Sequence, residues 1–363
     1  MHTIGIIGAT GSVGTELCVT LRLFKDVRVV AICRSELAAV LLKRCGVECR
    51  VGFIEDRRQA EHLLAECDTV VDLSLPRGTA SEFRRSSADI IENAITFSPP
   101  GARFVYASTY MAYGMKEPED RLFRRYRFSR TVYGTNKRWA EHRALSAAKR
   151  SDTPAYVLRF GQVQGEIQRC THRLVVDAKA SVHVPASASN TVFVFTVAEA
   201  IVHIAHGLEG PGVYTLVSVP QWSWKEVVEY VSRRNGIRPT VVEVSRDPVQ
   251  QRRSAFEIPQ MIVRALLRNR DLVTGYILAH FPKLEMRAKA LHSIRRARAE
   301  IASARVGAEV ELLESVYWGG APGRRLTSLS DSRTSMEPYA AVVRQIFEGV
   351  IQSSSSPHRA GAE

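Results

Sequence analysis

Tyr133 and Lys137 stand four residues apart in Tyr133-Gly134-Thr135-Asn136-Lys137. On a helix that spacing puts both side chains on one face. An ammonium beside a phenol favours the phenolate and lowers its pKa, which makes a tyrosine a usable general acid and base near neutral pH. A second group of residues, Gly8-Ala9-Thr10-Gly11-Ser12-Val13-Gly14, opens the chain. Here Gly8 permits a tight turn, Gly11 lets backbone N–H groups approach a pyrophosphate, and Gly14 lets the next helix pack on the strand. Thr10, Ser12 and Val13 complete the expected contacts of this GxxGxxG turn. A third candidate is Thr109, in Val105-Tyr106-Ala107-Ser108-Thr109. A hydroxyl at the carboxyl end of a parallel strand lies in the ligand crevice, where Thr109 can orient a substrate oxygen toward Tyr133. Together these residues suggest an enzyme that moves a hydride and a proton with a dinucleotide.

Such residues need strands and helices in alternation to bring them together. Thr3–Ile7 reads as a short apolar strand entering the glycine turn, and Thr15–Phe24 as a helix with Leu17, Val19, Leu21 and Phe24 at helical spacing. Val27–Cys33, Val47–Ile54, Thr69–Leu75, Arg103–Ala107 and Ala155–Phe160 read as strands, with helices over Ala80–Ala94 and Asn136–Arg150. This rhythm predicts an α/β fold: a doubly wound parallel (Rossmann) sheet over residues 1–160. After Gly161 the pattern loosens. Phe193–Phe195 reads as a strand, Val197–His206 as a helix, Gly212–Val217 as a strand, and Ser223–Asn235 as a helix capped by Ser223. Residues 161–352 are thus expected to form a smaller substrate-binding region with added helices, and segments near 191–206 to return to the first domain. A helical stripe runs through residues 257–305. The serine run from Ser353 onward reads as a disordered tail to residue 363.

The end of the second strand decides the cofactor. An acidic residue there would bind a ribose 2′-hydroxyl. Cys33-Arg34-Ser35 offers a guanidinium and a hydroxyl instead, which suits a 2′-phosphate and favours NADP over NAD. No apolar run approaches the ~20 residues needed to cross a bilayer, and no leader precedes the first strand, so a cytoplasmic location with no membrane partner is expected. The six cysteines form no CxxC pair and read as reduced thiols. His203 and His206 lack a third ligand, so no metal is expected. The net charge is +13, and residues 121–150 carry ten Lys and Arg against Glu141 alone. An anionic ligand explains that stretch best; a solvated helix face and a nucleic-acid surface are the alternatives.

These motifs resemble the extended short-chain dehydrogenase/reductases, the NAD-dependent epimerase/dehydratase group, over roughly residues 3–235. The likeness rests on the glycine turn, Asp68-Thr69-Val70-Val71-Asp72, Thr109 four residues before Tyr113-Gly114, Tyr133-x-x-x-Lys137, and Leu158-Arg159-Phe160-Gly161-Gln162-Val163-Gln164-Gly165. Phe193–Ala200 resembles the family's returning segment. The resemblance implies a Thr109–Tyr133–Lys137 catalytic set, with Lys137 also holding the nicotinamide ribose. It places Phe53, Ile54, Leu73 and Ser74 along the cofactor. It also implies a nucleotide-sugar substrate, reduced at a 4-keto group or epimerised, and a homodimer formed through the helix that carries Tyr133. Three departures stand out. Phe53 replaces an adenine-contacting aspartate, Arg84 stands near the place of an asparagine before the fifth strand, and Tyr110-Met111 follow Thr109 where sugar dehydratases carry Asp-Glu. A reductase of a non-sugar ketone, favoured by Tyr110, Met111 and Phe128, and a non-catalytic dinucleotide- or RNA-binding member of the fold are the alternatives.

Overall fold

A computed structural model describes residues 1–113, 132–168, 171, 181–186, 188–244 and 324–355, with scattered positions between 281 and 291. Its centre is a seven-stranded sheet. The strands are β1 (His2–Ile7), β2 (Val27–Cys33), β3 (Glu48–Val51), β4 (Thr69–Asp72), β5 (Arg103–Thr109), β6 (Ala155–Phe160) and β10 (Gly212–Leu216). They run in the order β10-β6-β5-β4-β1-β2-β3, and every neighbouring pair is parallel. Both faces are covered, so β4 (Thr-Val-Val-Asp) and β6 (Ala-Tyr-Val-Leu-Arg-Phe) are buried throughout. The order reverses between β1 and β4. That switch opens a crevice at the strands' carboxyl ends.

One face is covered by α1 (Ser12–Leu21), α2 (Glu36–Arg44), α6 (Val194–Ala205) and α8 (Ser332–Ser355). The other is covered by α3 (Arg57–Leu64), α4 (Ala80–Thr96) and α5 (Val132–Arg150). On α5 the residues Ala140, Ala144, Ala147 and Ala148 are buried at helical spacing, and their small side chains let the helix lie close to the sheet. A smaller lobe pairs β8 (Ser181–Pro185) with β11 (Thr240–Val244), and β7 (Gln162–Gln164) pairs with β9 (Thr191–Phe193). The helix α7 (Trp224–Arg234) packs there, with Trp224, Val227, Val228 and Val231 buried. Ser223 caps it through a capping box with Glu226.

Several sequence expectations change. The strand expected at Phe193–Phe195 ends at Phe193, and α6 begins at Val194; an unbroken apolar run carries no periodicity to separate strand from helix. The helix expected to begin at Asn136 begins at Val132, so Tyr133 shares it with Lys137. Helices α2, α3 and α8 and strands β7, β8 and β11 were not expected. Helix α8 includes Ser353–Ser355, three residues of the segment read as disordered. The 257–305 stripe lies outside the described residues apart from the scattered positions. So do residues 121–131, the first part of the basic stretch.

Candidate active site

The glycine turn closes as its spacing requires. Gly8 has φ +78°, and a Cβ on it would lie 2.9 Å from the backbone of Leu73 and Ser74. The Gly11 N–H donates to the Gly8 carbonyl at 3.0 Å. A Cβ on Gly14 would lie 2.3 Å from that same carbonyl. Gly11 is the N-cap of α1, with no side-chain cap. The first N–H groups of the helix therefore keep their donors for an anion.

The turn borders a cleft of about 630 Å³, a size typical of ligand sites. Its walls include Gly8, Thr10, Gly11, Arg34, Ile54, Leu73, Ser74, Tyr133 and Asn136. The cleft thus joins most of the expected cofactor residues to the tyrosine. Ser12, Val13 and Gly14 lie behind the turn on α1. The Ser12 hydroxyl donates to Gln168 Oε1 at 2.9 Å, and Gln168 Nε2 donates back to the Ser12 carbonyl at 3.0 Å. The buried Glu16 accepts from Gln168 Nε2 and from the Glu166 and Ile167 N–H groups. The turn is thereby stapled to the 165–168 segment, a link no local motif announces. Phe53 is 50% exposed and is not part of the cleft wall.

Arg34 reaches the cleft mouth at the end of β2, where its Nη2 pairs with Glu55 at 2.8 Å. The Ser35 hydroxyl is engaged as the N-cap of α2, accepting from the Ala38 N–H. Asn93, buried on α4, donates to the carbonyls of Ile54 and Glu55 at 2.9 and 3.0 Å and holds that wall in place.

Thr109 ends β5. Its hydroxyl accepts from the Met111 N–H at 3.2 Å and lies near the Tyr133 phenol, whose pKa it lowers. The Tyr133 side chain keeps 39% of its surface open toward the cleft. Packing around the phenol nevertheless pushes its pKa up to about 12, against the pull of Thr109. Tyr133 is therefore a protonated phenol at neutral pH. Lys137 shares the helix but aims beneath the tyrosine, at the strand ends. Its Nζ donates to the Ala107 carbonyl at 2.9 Å and the Ser74 carbonyl at 3.3 Å, and sits 4.8 Å from the Tyr106 ring centroid. Burial lowers its pKa to about 8, opposed by Asp72 and Glu141. In this form the phenol is tuned by burial and by Thr109.

Sequence reasoning missed the polar residues beneath. Glu141, one turn beyond Lys137, accepts from both Arg159 Nε and Nη2 at 3.0 Å and from the Ser108 hydroxyl. This ion pair is almost fully buried and locks β5, β6 and α5 together next to Thr109. Its spacing from Tyr133 and Lys137 along one helix face was the available signal. Asp72 at the end of β4 is fully buried. Arg84, near the place where the resemblance expects an asparagine, reaches across from α4 to Asn136 on α5. His203 Nδ1 meets the Ser328 hydroxyl and His206 Nδ1 meets the Val202 carbonyl. Among the described residues no cluster suited to a metal occurs.

A doubly wound parallel sheet, with a bare helix N-terminus after a glycine turn and a tyrosine along one cleft, defines a Rossmann-like α/β fold. Residues 4–181 match the model of the NAD dependent epimerase/dehydratase family. No curated protein matches the chain. Among solved structures, UDP-N-acetylglucosamine 4-epimerase from Bacillus cereus is 19% identical with a TM-score of 0.51, covering 68% of this chain and 88% of its own. UDP-glucuronic acid 4-epimerase from the same organism, in complex with NAD, is 19% identical with a TM-score of 0.50, covering 67% and 87%. dTDP-glucose 4,6-dehydratase from Bacillus anthracis, in complex with NAD, is 17% identical with a TM-score of 0.50, covering 68% and 86%. At these identities the likeness is one of fold. No helix among the described residues is long and apolar enough to cross a membrane.

Proposed function

We propose that the protein is an NAD(P)-dependent oxidoreductase or epimerase acting at a secondary alcohol or ketone, with a nucleotide sugar as substrate. The observation that carries this reading is the cleft that joins the glycine turn at the uncapped N-terminus of α1 to Tyr133. The cradle fits a dinucleotide: its turn leaves no room for side chains at Gly8 and Gly14, and its free N–H groups suit a pyrophosphate. When bound, the dinucleotide supplies the hydride acceptor or donor.

The protein's own residues would handle the proton. In the reducing direction the Tyr133 O–H gives its proton to the ketone oxygen as the carbonyl carbon takes the hydride. Thr109, beside that phenol at the end of β5, would hold the same oxygen in line. Lys137 keeps a positive charge below the strand ends, where it favours the developing phenolate. Arg34 would receive a 2′-phosphate, so NADP is the preferred cofactor, on condition that the guanidinium turns from Glu55. The nucleotide sugar is supported by the substrates named for the structural relatives, and Tyr110-Met111, in place of the acid pair that dehydration uses, argues against a dehydratase.

The test is to release any bound nucleotide from the purified protein by denaturation and identify it by mass spectrometry, then to assay Tyr133→Phe. Retained or reversibly bound dinucleotide, with turnover abolished and binding kept in Tyr133→Phe, supports the reading. Full activity in Tyr133→Phe removes the tyrosine from the chemistry. A protein that binds no dinucleotide at all overturns the enzyme reading.

A further inference from the structure

The cleft wall carries a second polar group beside Tyr133 that the catalytic set does not use. Asn136 lies three residues along α5, is 5% exposed, and lines the cleft together with Tyr133. Its Oδ1 accepts from Arg84 Nε at 3.3 Å. A guanidinium has donors only, so this contact fixes which way the amide faces. The oxygen turns to Arg84 and the NH2 group turns away. Arg84 is itself steadied by Trp139, whose ring lies 5.8 Å from its guanidinium carbon. Asn136 Nδ2 makes no hydrogen bond to another described residue, although the side chain is almost wholly buried. That nitrogen is not among the fully buried unpaired atoms, so it keeps open surface, and the side chain lines the cleft.

We propose that Asn136 is a cofactor-contacting residue: held by Arg84, its amide N–H donates into the cleft to an acceptor oxygen on the half of the dinucleotide that lies beside Tyr133. This rests on the dinucleotide reading of the cleft. Asn136 lines the same cleft as the glycine turn and Tyr133, so a molecule that fills the cleft meets this amide. The arrangement also gives Arg84 a purpose. It contributes no donor of its own to the cleft wall but presets the donor that does, which removes the cost of orienting the amide on binding.

The experiment is to measure NADPH and NADH binding by fluorescence for the wild type, Asn136→Ala and Asn136→Asp, with thermal unfolding of each. Losing one hydrogen bond is expected to weaken binding about 3- to 10-fold in Asn136→Ala. Asn136→Asp is the deciding variant. Its carboxylate keeps and strengthens the Arg84 contact, so its melting temperature should equal or exceed that of the wild type. It presents an acceptor where the ligand oxygen needs a donor, so it should bind more weakly than Asn136→Ala. Wild-type affinity in Asn136→Asp would mean that the amide only braces Arg84, and the proposal falls. A wild type that binds neither dinucleotide overturns the cofactor reading itself, a result distinct from equal binding by all three proteins.

Discussion

Replacing Asp72 with asparagine should move the ionisation of Lys137 downward. Asp72 ends β4 with no exposed surface; its Oδ1 accepts the Ser74 N–H at 2.8 Å, and its Oδ2 has no hydrogen-bond partner among the described residues. Lys137, 4% exposed, faces it from α5. Burial draws the ammonium from 10.5 down to about 8, and the charge of Asp72, followed by that of Glu141, opposes the fall. Glu141 is already matched by the Arg159 guanidinium, and Tyr106, the other group against Lys137, is a buried phenol that burial holds neutral. Asp72 is therefore the negative group left to act on Lys137, although burial pushes its own carboxyl up, against the pull of Lys137 and Ser74. The hydrogen bonds of Lys137 go to main-chain carbonyls, not to the carboxylate, so the lower end of the usual effect of an opposite charge applies, roughly one pH unit. The sign is fixed: removing a negative charge makes the ammonium less favourable, so the midpoint falls below about 8. With a midpoint near 7, Lys137 at pH 7.5 would go from about three-quarters charged to about one-quarter. The assay is a pH titration by NMR of protein labelled at lysine Cε, with Lys137→Met to assign the signal. Dinucleotide affinity against pH, lost earlier in Asp72→Asn, is the second readout. A Lys137 midpoint that stays put or rises would refute the reasoning.

Three further outcomes follow from the same geometry. Lys137 titrates near 8 when folded and at 10.5 when unfolded; between those values the unfolded chain binds more protons, so stability rises with pH across that window. The gap corresponds to about 3 kcal/mol, and denaturant midpoints at pH 7.5 and 10 should show a smaller rise in Lys137→Met than in the wild type; equal rises would remove Lys137 as the source. Glu55→Gln frees Arg34 from its 2.8 Å partner and removes a carboxylate that repels a 2′-phosphate, so NADP affinity should improve several-fold relative to NAD, whereas no change in the ratio would mean that Arg34 does not read that phosphate. Gly14→Ala forces a methyl to within 2.3 Å of the Gly8 carbonyl, which should cost about 1–3 kcal/mol and abolish dinucleotide binding; a variant that melts and binds like the wild type would show that the turn is not as tight as described.

The central sheet was largely legible because its strands are chemically plain. Val27–Cys33 and Ala155–Phe160 are mainly apolar runs, each with a single arginine, and the observed strands have those limits. Helices α2 and α3 were hidden for the opposite reason. α2 buries only Ala39 and Leu42, while Leu37, Val40 and Leu41 face solvent; α3 buries only Ala60, Leu63 and Leu64. α2 shows no clean stripe and α3 only the single-turn set Ala60, Leu63 and Leu64, and their starts are marked only by the caps Ser35 and Asp56. At the site, spacing placed Tyr133 and Lys137 on one helix but could not show where the ammonium points. Its acceptors, Ala107 and Ser74, lie 30 and 63 residues away in the chain and meet it only because β4 and β5 are neighbours.

The same end of the sheet gathers Asp72, Lys137, Glu141 and Arg159, all nearly or wholly buried. Stability alone does not explain them. Ion pairs in a core are often matched or bettered by apolar side chains of similar size, because removing charges from water is costly. The opposite ends of these strands, at Thr69, Arg103 and Ala155, carry no comparable cluster among the described residues. The charges collect at the carboxyl ends of β4, β5 and β6, close to Thr109 and Tyr133. A fold that tolerates such groups at one end only is holding them for the position they give to Lys137 and to the hydroxyls of β5. That asymmetry favours a working catalytic end over a nucleotide sensor, since a sensor needs the glycine turn and the cleft but has no use for a lysine buried under the tyrosine with its charge balanced by a buried aspartate.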